Sequence, residues 1–193
     1  TLEVALDHDL GDDLVERAHR KWLAIASARH RWADVRVLAL STATMIARSR
    51  AASADDRLGY DLSAFLHDPS DEVRRAALEL IPTPTPKPLR PLLAQTLASD
   101  PIERVALAAA QALCADLASD GPKPILAALE NKALTRLQAL LSHPEADASA
   151  GALVDAARCL VADASAGSKR ALVALQSHAP RSVRAAVRAL GRR

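Results

Sequence analysis

Apolar residues recur along this chain at the spacing of one face of an α-helix. Val73 is followed by apolar residues three, four, seven and eight positions later, and Val105 begins the same pattern. Weaker versions begin at Val35, Leu153 and Val183. The version at Val35 places Leu38, Ala39 and Ala43 on the apolar face. These segments predict five amphipathic helices built on one template.

Each interval between these anchor residues has room for one more helix and two turns. Apolar stripes in the intervals supply those helices: Leu58, Leu62, Phe65 and Leu66; Leu89, Leu92, Leu93 and Leu97; Leu134, Leu137 and Leu141; and Leu172 with Leu175. Before the first anchor, Leu14, Ala18, Trp22 and Ile25 form a similar stripe. In the longest interval, residues 125–129 predict an additional short helix. The chain therefore predicts a first helix, a turn and a second helix, repeated about five times.

The openings of the second helices carry a family resemblance. Asp68-Pro69 precedes Val73-Arg74, Asp100-Pro101 precedes Val105, and an Ala-rich helix follows each. Aspartate accepts hydrogen bonds from the unpaired N–H groups of a helix start, and proline fits the first turn. An Asp-Pro turn followed by such a helix resembles the HEAT repeat and its bacterial relatives. The similarity covers most of the chain, and the interval between Val105 and Leu153 departs from it.

The resemblance implies an all-α fold, a right-handed α-α superhelix. This would be a HEAT-like solenoid of about five helical hairpins, with the second helices along a concave face. We predict a single repeat domain over residues 1–193, with approximate units at 12–51, 55–81, 86–119, 122–163 and 167–191. Because the sequence opens with Thr1 rather than methionine, we expect a fragment of a longer chain.

Arginines and prolines at the joints between helices have predicted structural roles. Arg36, Arg74 and Arg184 each follow an anchor, where we expect a guanidinium to bridge to an acidic group of the adjacent unit rather than to contact a ligand. Four prolines alternate with other residues over 82–88, a pattern that favours extended polyproline II. We interpret this segment as a stiff connector between hairpins, and a Pro-rich ligand for an aromatic-lined groove is the alternative.

Composition favours helices and leaves no strong overall charge. Aromatic residues make up 2% of the chain, whereas β-sheet cores prefer branched and aromatic side chains. The 25 Lys and Arg residues nearly balance the 23 Asp and Glu residues, so a global basic field for nucleic acid or membrane is absent. No apolar run approaches the ~20 residues that cross a bilayer, and we predict no membrane insertion.

The cysteine content bears on the cellular compartment. Cys114 and Cys159 are too few for a disulfide framework or a paired-ligand zinc site, and each falls within a helical pattern. We therefore predict two small buried fillers in a reducing compartment. The expected location is the cytoplasm. The periplasm stays open as an alternative, because we expect the start of the full-length chain to be missing from this sequence.

Motifs of catalysis are absent from the sequence. It contains no Gly-x-Ser-x-Gly, Walker, Gly-x-Gly-x-x-Gly, His-Glu-x-x-His or Cys-x-x-Cys pattern, so we predict no catalytic residue, no metal and no cofactor. Histidines fall near the predicted ends of first helices, where they can meet unpaired carbonyls; they are His30, His67, His143 and His178. Trp22 is expected to pack on its apolar stripe, whereas Trp32 lies in a turn and can be exposed.

Positive charge concentrates at the C-terminus. Residues 168–193 contain no acidic residue, and their basic residues are Lys169, Arg170, Arg181, Arg184, Arg188, Arg192 and Arg193. Arg181, Arg184 and Arg188 are spaced to share one helix face. Three interpretations remain open: a polar cap that ends the stack, a contact with a protein, or a contact with nucleic acid.

The resemblance implies a function without catalysis. We predict a monomeric scaffold or adaptor, not an enzyme, that binds a protein partner along the concave face. Candidate contact residues are Arg75, Glu79, Gln111, Arg181, Arg184 and Arg188. The alternative is nucleic-acid binding of the kind seen in HEAT-like DNA glycosylases, through the basic C-terminal helices. A further alternative is assistance to a chromophore lyase, for which the sequence offers no nucleophile or acid in a pocket.

Overall fold

A computed structural model of the protein describes residues 8–28, 32–48, 62–117, 121–144 and 148–190. Within these ranges the chain forms ten α-helices and no strand, which confirms the all-α prediction. The chain divides into two compact units, Thr1–Leu80 and Ile81–Arg193. The division coincides with the end of the second predicted hairpin.

The first unit contains three described α-helices. They are α1 (His8–Ser27), α2 (Ala33–Arg48) and α3 (Asp71–Glu79), with a short 3-10 turn at Ala64–His67 before α3. Helix α1 packs along α2, and α2 packs against α3. Small and branched side chains with no exposed surface fill the contacts; they include Ala26, Ala39, Leu40, Ala43, Val73 and Ala77.

The second unit contains the remaining seven described helices. They are α4 (Arg90–Ser99), α5 (Glu103–Ala115), α6 (Pro122–Ala128), α7 (Asn131–Ser142), α8 (Ala150–Asp163), α9 (Ala166–His178) and α10 (Arg181–Leu190), and a 3-10 turn at Lys87–Leu89 leads into α4. Helix α6 is the additional short helix that the sequence predicted over residues 125–129.

Helices of the second unit contact one another in two ordered series. Helix α4 packs against α7, and α7 packs against α9. In the second series, α5 packs against α8, and α8 packs against α10. Helix pairs α4–α5, α7–α8 and α9–α10 also pack together, so each pair meets the next through both of its members.

The shared apolar template explains why the second helices approach one another. The anchors Val73, Val105, Leu153 and Val183 are all buried. On α5 the residues that follow its anchor are mainly alanine, and Ala106, Ala109 and Ala110 have no exposed surface. Side chains this small let neighbouring helices pack closely, and burial of the larger leucines fills the remaining space.

The template prediction is half wrong for α2. Ala39 and Ala43 are buried as expected, whereas Val35 and Leu38 are 39% and 64% exposed. Arg36 and Leu40, which the template left out, complete the buried face. This orientation of the helix places the Arg36 guanidinium inside the unit, where it pairs with Asp68.

The predicted bridge from Arg36 to an acidic group of the next hairpin is confirmed. Its two terminal nitrogens donate to the two carboxylate oxygens of Asp68, and its Nε donates to the carbonyl of Ala26 at 2.8 Å. Arg74 donates to the backbone carbonyls of Asp68 and Pro69. The bridge predicted for Arg184 is not found: its side chain pairs with no acidic group of the described residues.

The Asp-Pro turns work through the aspartate side chain. Oδ1 of Asp68 accepts the N–H of Ser70, and Oδ1 of Asp100 accepts the N–H of Ile102, each at 2.9 Å. Both turns therefore fix the chain two residues after the aspartate, just before the second helix begins. Repetition of one sequence motif thus produces repetition of one local structure.

The proline-rich segment is packed onto the end of α5. Thr85 and Pro86 are buried, and the N–H of Thr85 donates to both carboxylate oxygens of Asp116 at 2.9 Å. The Thr85 hydroxyl donates to the carbonyl of Ala112 at 3.0 Å, and Arg90 pairs with Asp116 at 3.3 Å. These contacts favour the connector interpretation over a Pro-rich ligand.

The prediction of two separate buried cysteines is wrong. Cys114 and Cys159 form a disulfide that joins α5 to α8. Both residues lack exposed surface, as expected. Their separation of 45 residues concealed the pair, whereas the packing of α5 against α8 brings the two Cα atoms to 5.6 Å.

Candidate interaction surface

Two of the predicted contact residues lie together on α3. Arg75 and Glu79 are one helical turn apart, and Nη1 of Arg75 lies 3.4 Å from Oε1 of Glu79. Their side chains are 47% and 54% exposed. The pair is therefore available at the surface of the first unit, with its opposite charges already matched.

Gln111 lies on α5 at the boundary with α8. Its side chain is half-buried, and a Cβ atom added to Gly151 of α8 would lie 3.9 Å from Nε2 of Gln111. The absence of a side chain at Gly151 leaves the Gln111 amide room beside the second helix of the next pair. This position can donate and accept hydrogen bonds toward a ligand that crosses both helices.

Three predicted arginines share one face of α10. Arg181 and Arg188 are exposed, Arg184 is half-buried, and Val183 and Val187 occupy the buried face. No ion pair joins these arginines to another side chain in the described ranges. Helix α8 lies between α5 and α10, so Gln111 and the arginines belong to different helices of one series.

An exposed apolar strip on α2 was not predicted as a site. It contains Val35, Leu38 and Met45, and Leu38 and Met45 are 64% and 68% exposed. Trp32, just before the helix, is 79% exposed, whereas Trp22 is half-buried in α1. Helical spacing had assigned Val35 and Leu38 to the core, and Met45 had no predicted role.

A groove of about 560 Å³ lies in the second unit between α4 and the corner that joins α6 to α7. Alanines make up half of its lining residues, and they include Ala94, Ala98 and Ala133. The polar groups at the groove belong to Gln95, Ser99, Glu130 and Lys132. No signal in the sequence predicted this groove, because it forms where α4 packs beside the corner of α6 and α7.

Two of the four predicted helix-end histidines meet in space. The rings of His143 and His178 lie 6.4 Å apart, at the ends of α7 and α9. Both side chains are exposed. His67 is exposed at the end of the first 3-10 turn, and His30 lies outside the described residues.

The start of α9 contains a hydrogen-bonded polar cluster. The hydroxyl of Ser168, which is fully buried, donates to Oδ2 of Asp163 at 2.7 Å. Nε2 of Gln138 donates to the Ser168 oxygen at 3.1 Å. Burial raises the pKa of Asp163, but hydrogen bonds from the hydroxyls of Ser165 and Ser168 and from the N–H of Ser165 outweigh it, so the pKa lies below its ordinary value. The cluster ties α7, α8 and α9 together and includes no histidine that could act as a base.

The described parts of the chain were also compared with the requirements of a metal site and of a membrane span. No three His, Cys, Asp or Glu side chains there are close enough together to ligate a metal ion. The described helices also include none with the length and apolar character needed to span a membrane.

No protein-family model matches this chain, and neither a curated protein nor a solved structure matches it significantly.

Proposed function

We propose that this protein is a HEAT-like helical-repeat scaffold that binds a protein partner along the surface of its second helices. The observation that carries the proposal is the pair of parallel contact series in the second unit, α4–α7–α9 and α5–α8–α10. Hairpins that meet through both members in succession are the defining arrangement of a solenoid. Such a stack offers a long rigid surface on which side chains from several hairpins can contact one ligand.

The joints of the stack support a role that needs rigidity. A buried ion pair joins α2 to the turn before α3, and a disulfide joins α5 to α8. Both joints connect elements of the second-helix series within a unit. A surface held in this way loses little conformational entropy when a partner binds.

The disulfide also bears on location. Disulfides persist in oxidising compartments and are rare in the cytosol. We therefore propose an oxidising compartment in place of the expected cytoplasm. In a bacterium this is the periplasm or the outside of the cell.

Nucleic-acid binding is the second candidate function, and the arginine face of α10 is the observation that favours it. Against it stand the formal charge of +2 and the aromatic content of 2%, which leaves few side chains for base stacking. A labelled DNA duplex, titrated with the protein at low and high salt, tests this candidate. Salt-sensitive affinity would favour it, and absence of affinity at both salt concentrations would remove it.

The scaffold proposal is tested by site-specific photo-cross-linking in the native cell. A photo-reactive amino acid replaces Gln111 on α5, and the matched control replaces Gln176 on α9, which is equally half-buried but lies in the first-helix series. We expect a discrete adduct with another protein from position 111 and none from position 176. Adducts from position 176 alone, or from neither position, would contradict the proposal.

A further inference from the structure

We propose that the arginine face of α10 binds an acidic peptide segment of a partner protein. The proposal deepens the scaffold function and rests on it, because it specifies the chemistry of the partner at one end of the second-helix series. It starts from the concentration of unmatched positive charge on the last described helix pair. From Ala164 to Leu190 the sequence contains basic residues and no acidic residue.

The face has a defined geometry. On a helix with 3.6 residues per turn, Arg181, Arg184 and Arg188 fall within an arc of about 60° and span about 10 Å along the axis. Val183 and Val187 are buried on the adjoining arc, which fixes the arginine face toward solvent. Burial of the two valines thus orients three cations in one row.

A row of small residues lies next to the arginines. Ser182, Ala185 and Ala189 are exposed and occupy the neighbouring arc of α10 at the same spacing. Small side chains there allow the backbone of a bound segment to approach the helix closely. Its carboxylates would then reach the guanidinium groups of the adjacent row, where paired hydrogen bonds with a carboxylate are favourable.

The second helix series next to this face has its own charges already matched. Arg158 of α8 pairs with Asp155 of the same helix at 3.0 Å, and Glu103 of α5 lies 3.9 Å from Arg136 of α7. The arginines of α10 have no such partner among the described residues. Three unpaired cations in one row therefore give α10 a local attraction for an anion.

The size of the charged patch favours a short peptide over a nucleic acid. Lys169 and Arg170, near the start of α9, add two exposed cations on the helix that packs against α10. A duplex carries a charge every ~1.7 Å and would extend far beyond a 10 Å row. Carboxylates at positions i, i+3 and i+7 of a peptide helix match the length and the spacing of the row.

Fluorescence anisotropy with synthetic peptides tests the proposal. The probe is a labelled helical peptide with glutamates at positions i, i+3 and i+7, and its control has glutamines at the same positions. We expect binding of the glutamate peptide alone, weakened by an increase in salt from about 50 to about 200 mM. Equal binding of both peptides, or binding of neither, would overturn the proposal.

Protein variants locate the interaction. We expect each of Arg181→Gln, Arg184→Gln and Arg188→Gln to weaken binding about two- to fivefold, and the triple variant to weaken it about tenfold or more. Lys132→Gln on α7 removes an exposed cation elsewhere in the unit and is expected to leave affinity unchanged. Helical circular dichroism of every variant verifies that the fold is retained. An effect of Lys132→Gln equal to that of the arginine variants would refute a specific site on α10.

Two competing ligands complete the test. A labelled single-stranded oligonucleotide of the same charge that binds more tightly than the glutamate peptide would assign the face to nucleic acid and overturn the proposal. Salt-sensitive self-association in sedimentation, lost in the triple variant, would assign it to a second copy of the chain with the same consequence. A discrete cross-link from position 111 without peptide binding would leave the scaffold function in place while this inference fails.

Discussion

The two units of the protein join their second helices by different chemistry. In Thr1–Leu80, Arg36 of α2 and Asp68 before α3 form a buried ion pair. In Ile81–Arg193, a disulfide joins α5 to α8, and the buried pair Arg90–Asp116 holds the proline-rich connector instead. The first joint depends on both charges being present, whereas the second depends on the redox state of the surroundings. The protein therefore has two joints that different treatments should break separately.

Tryptophan fluorescence separates the units in any such experiment. Both tryptophans, Trp22 and Trp32, belong to Thr1–Leu80. Circular dichroism in the far ultraviolet reports helix content in both units. A change that destabilises only the second unit should therefore shift the dichroism transition more than the fluorescence transition.

The largest effect is expected from Asp68→Ala. This change leaves the Arg36 guanidinium buried without its counter-charge, and breaking a buried pair in this way costs about 3–5 kcal/mol. We expect the urea midpoint of the tryptophan transition to fall accordingly. Adding Arg36→Met should recover part of the loss, because the buried charge is then gone.

Glu79→Ala is the control for this loss. It removes the exposed pair with Arg75 from α3 and should cost less than about 1 kcal/mol. If Asp68→Ala cost no more than Glu79→Ala, the buried pair would not be the joint of the first unit.

The second largest effect is expected from loss of the disulfide. Replacement of Cys114 and Cys159 by alanine, or addition of a reductant, should cost about 2–4 kcal/mol in the second unit. The measurement is urea unfolding followed by circular dichroism. Reductant should have no effect on the double variant. Alkylation of both cysteines in denatured protein that was never reduced would show that the bond is absent.

The contrast between the joints also shows what sequence patterns can predict. The buried faces of α3, α5, α8 and α10 follow from apolar spacing, because burial there depends on residues within one helix. The face of α2 does not, because Arg36 is buried by a partner 32 residues away. The Cys114–Cys159 pair escaped prediction for the same reason, since it needs two helices to stack first.

The candidate interaction surface also has features that helical spacing predicts and features that it does not. The common face of Arg181, Arg184 and Arg188 follows from helical spacing, and so does the contact between Arg75 and Glu79. The place of Gln111 beside Gly151 does not, because it depends on how α5 and α8 pack. Local periodicity identifies the side chains on one helix face, whereas tertiary packing decides which faces adjoin.

A smaller effect on the free energy of unfolding is expected from Gly167→Ala at the start of α9, and its sign should depend on the residue at position 138. The added Cβ would lie 2.7 Å from Oε1 of Gln138, so the Gln138 amide must move and loses its bond to Ser168. That loss, about 1 kcal/mol, opposes the gain of about 0.5–1 kcal/mol from replacing a helical glycine. In a Gln138→Ala background only the gain remains, and Gly167→Ala should stabilise the second unit.

A double-mutant cycle by urea unfolding measures this coupling. We expect a coupling energy of about 1 kcal/mol between positions 138 and 167. Equal effects of Gly167→Ala in both backgrounds would mean that Gln138 does not restrict the start of α9.

The smallest effect is expected from the ionisation of Asp163. Its pKa in the folded protein lies below the ordinary value of 3.8, since the hydrogen bonds from Ser165 and Ser168 outweigh the opposing effect of burial. A carboxyl group with a lowered folded pKa stabilises the protein above its unfolded pKa. That stabilisation is lost as the pH falls below about 3.8 and through the folded pKa.

Ser168→Ala should therefore reduce the difference in urea midpoint between neutral and acidic pH, as followed by circular dichroism. The fluorescence transition of the first unit provides the internal reference, because Asp163 lies in the second. An unchanged pH dependence in Ser168→Ala would show that the Ser168 hydroxyl does not set the ionisation of Asp163.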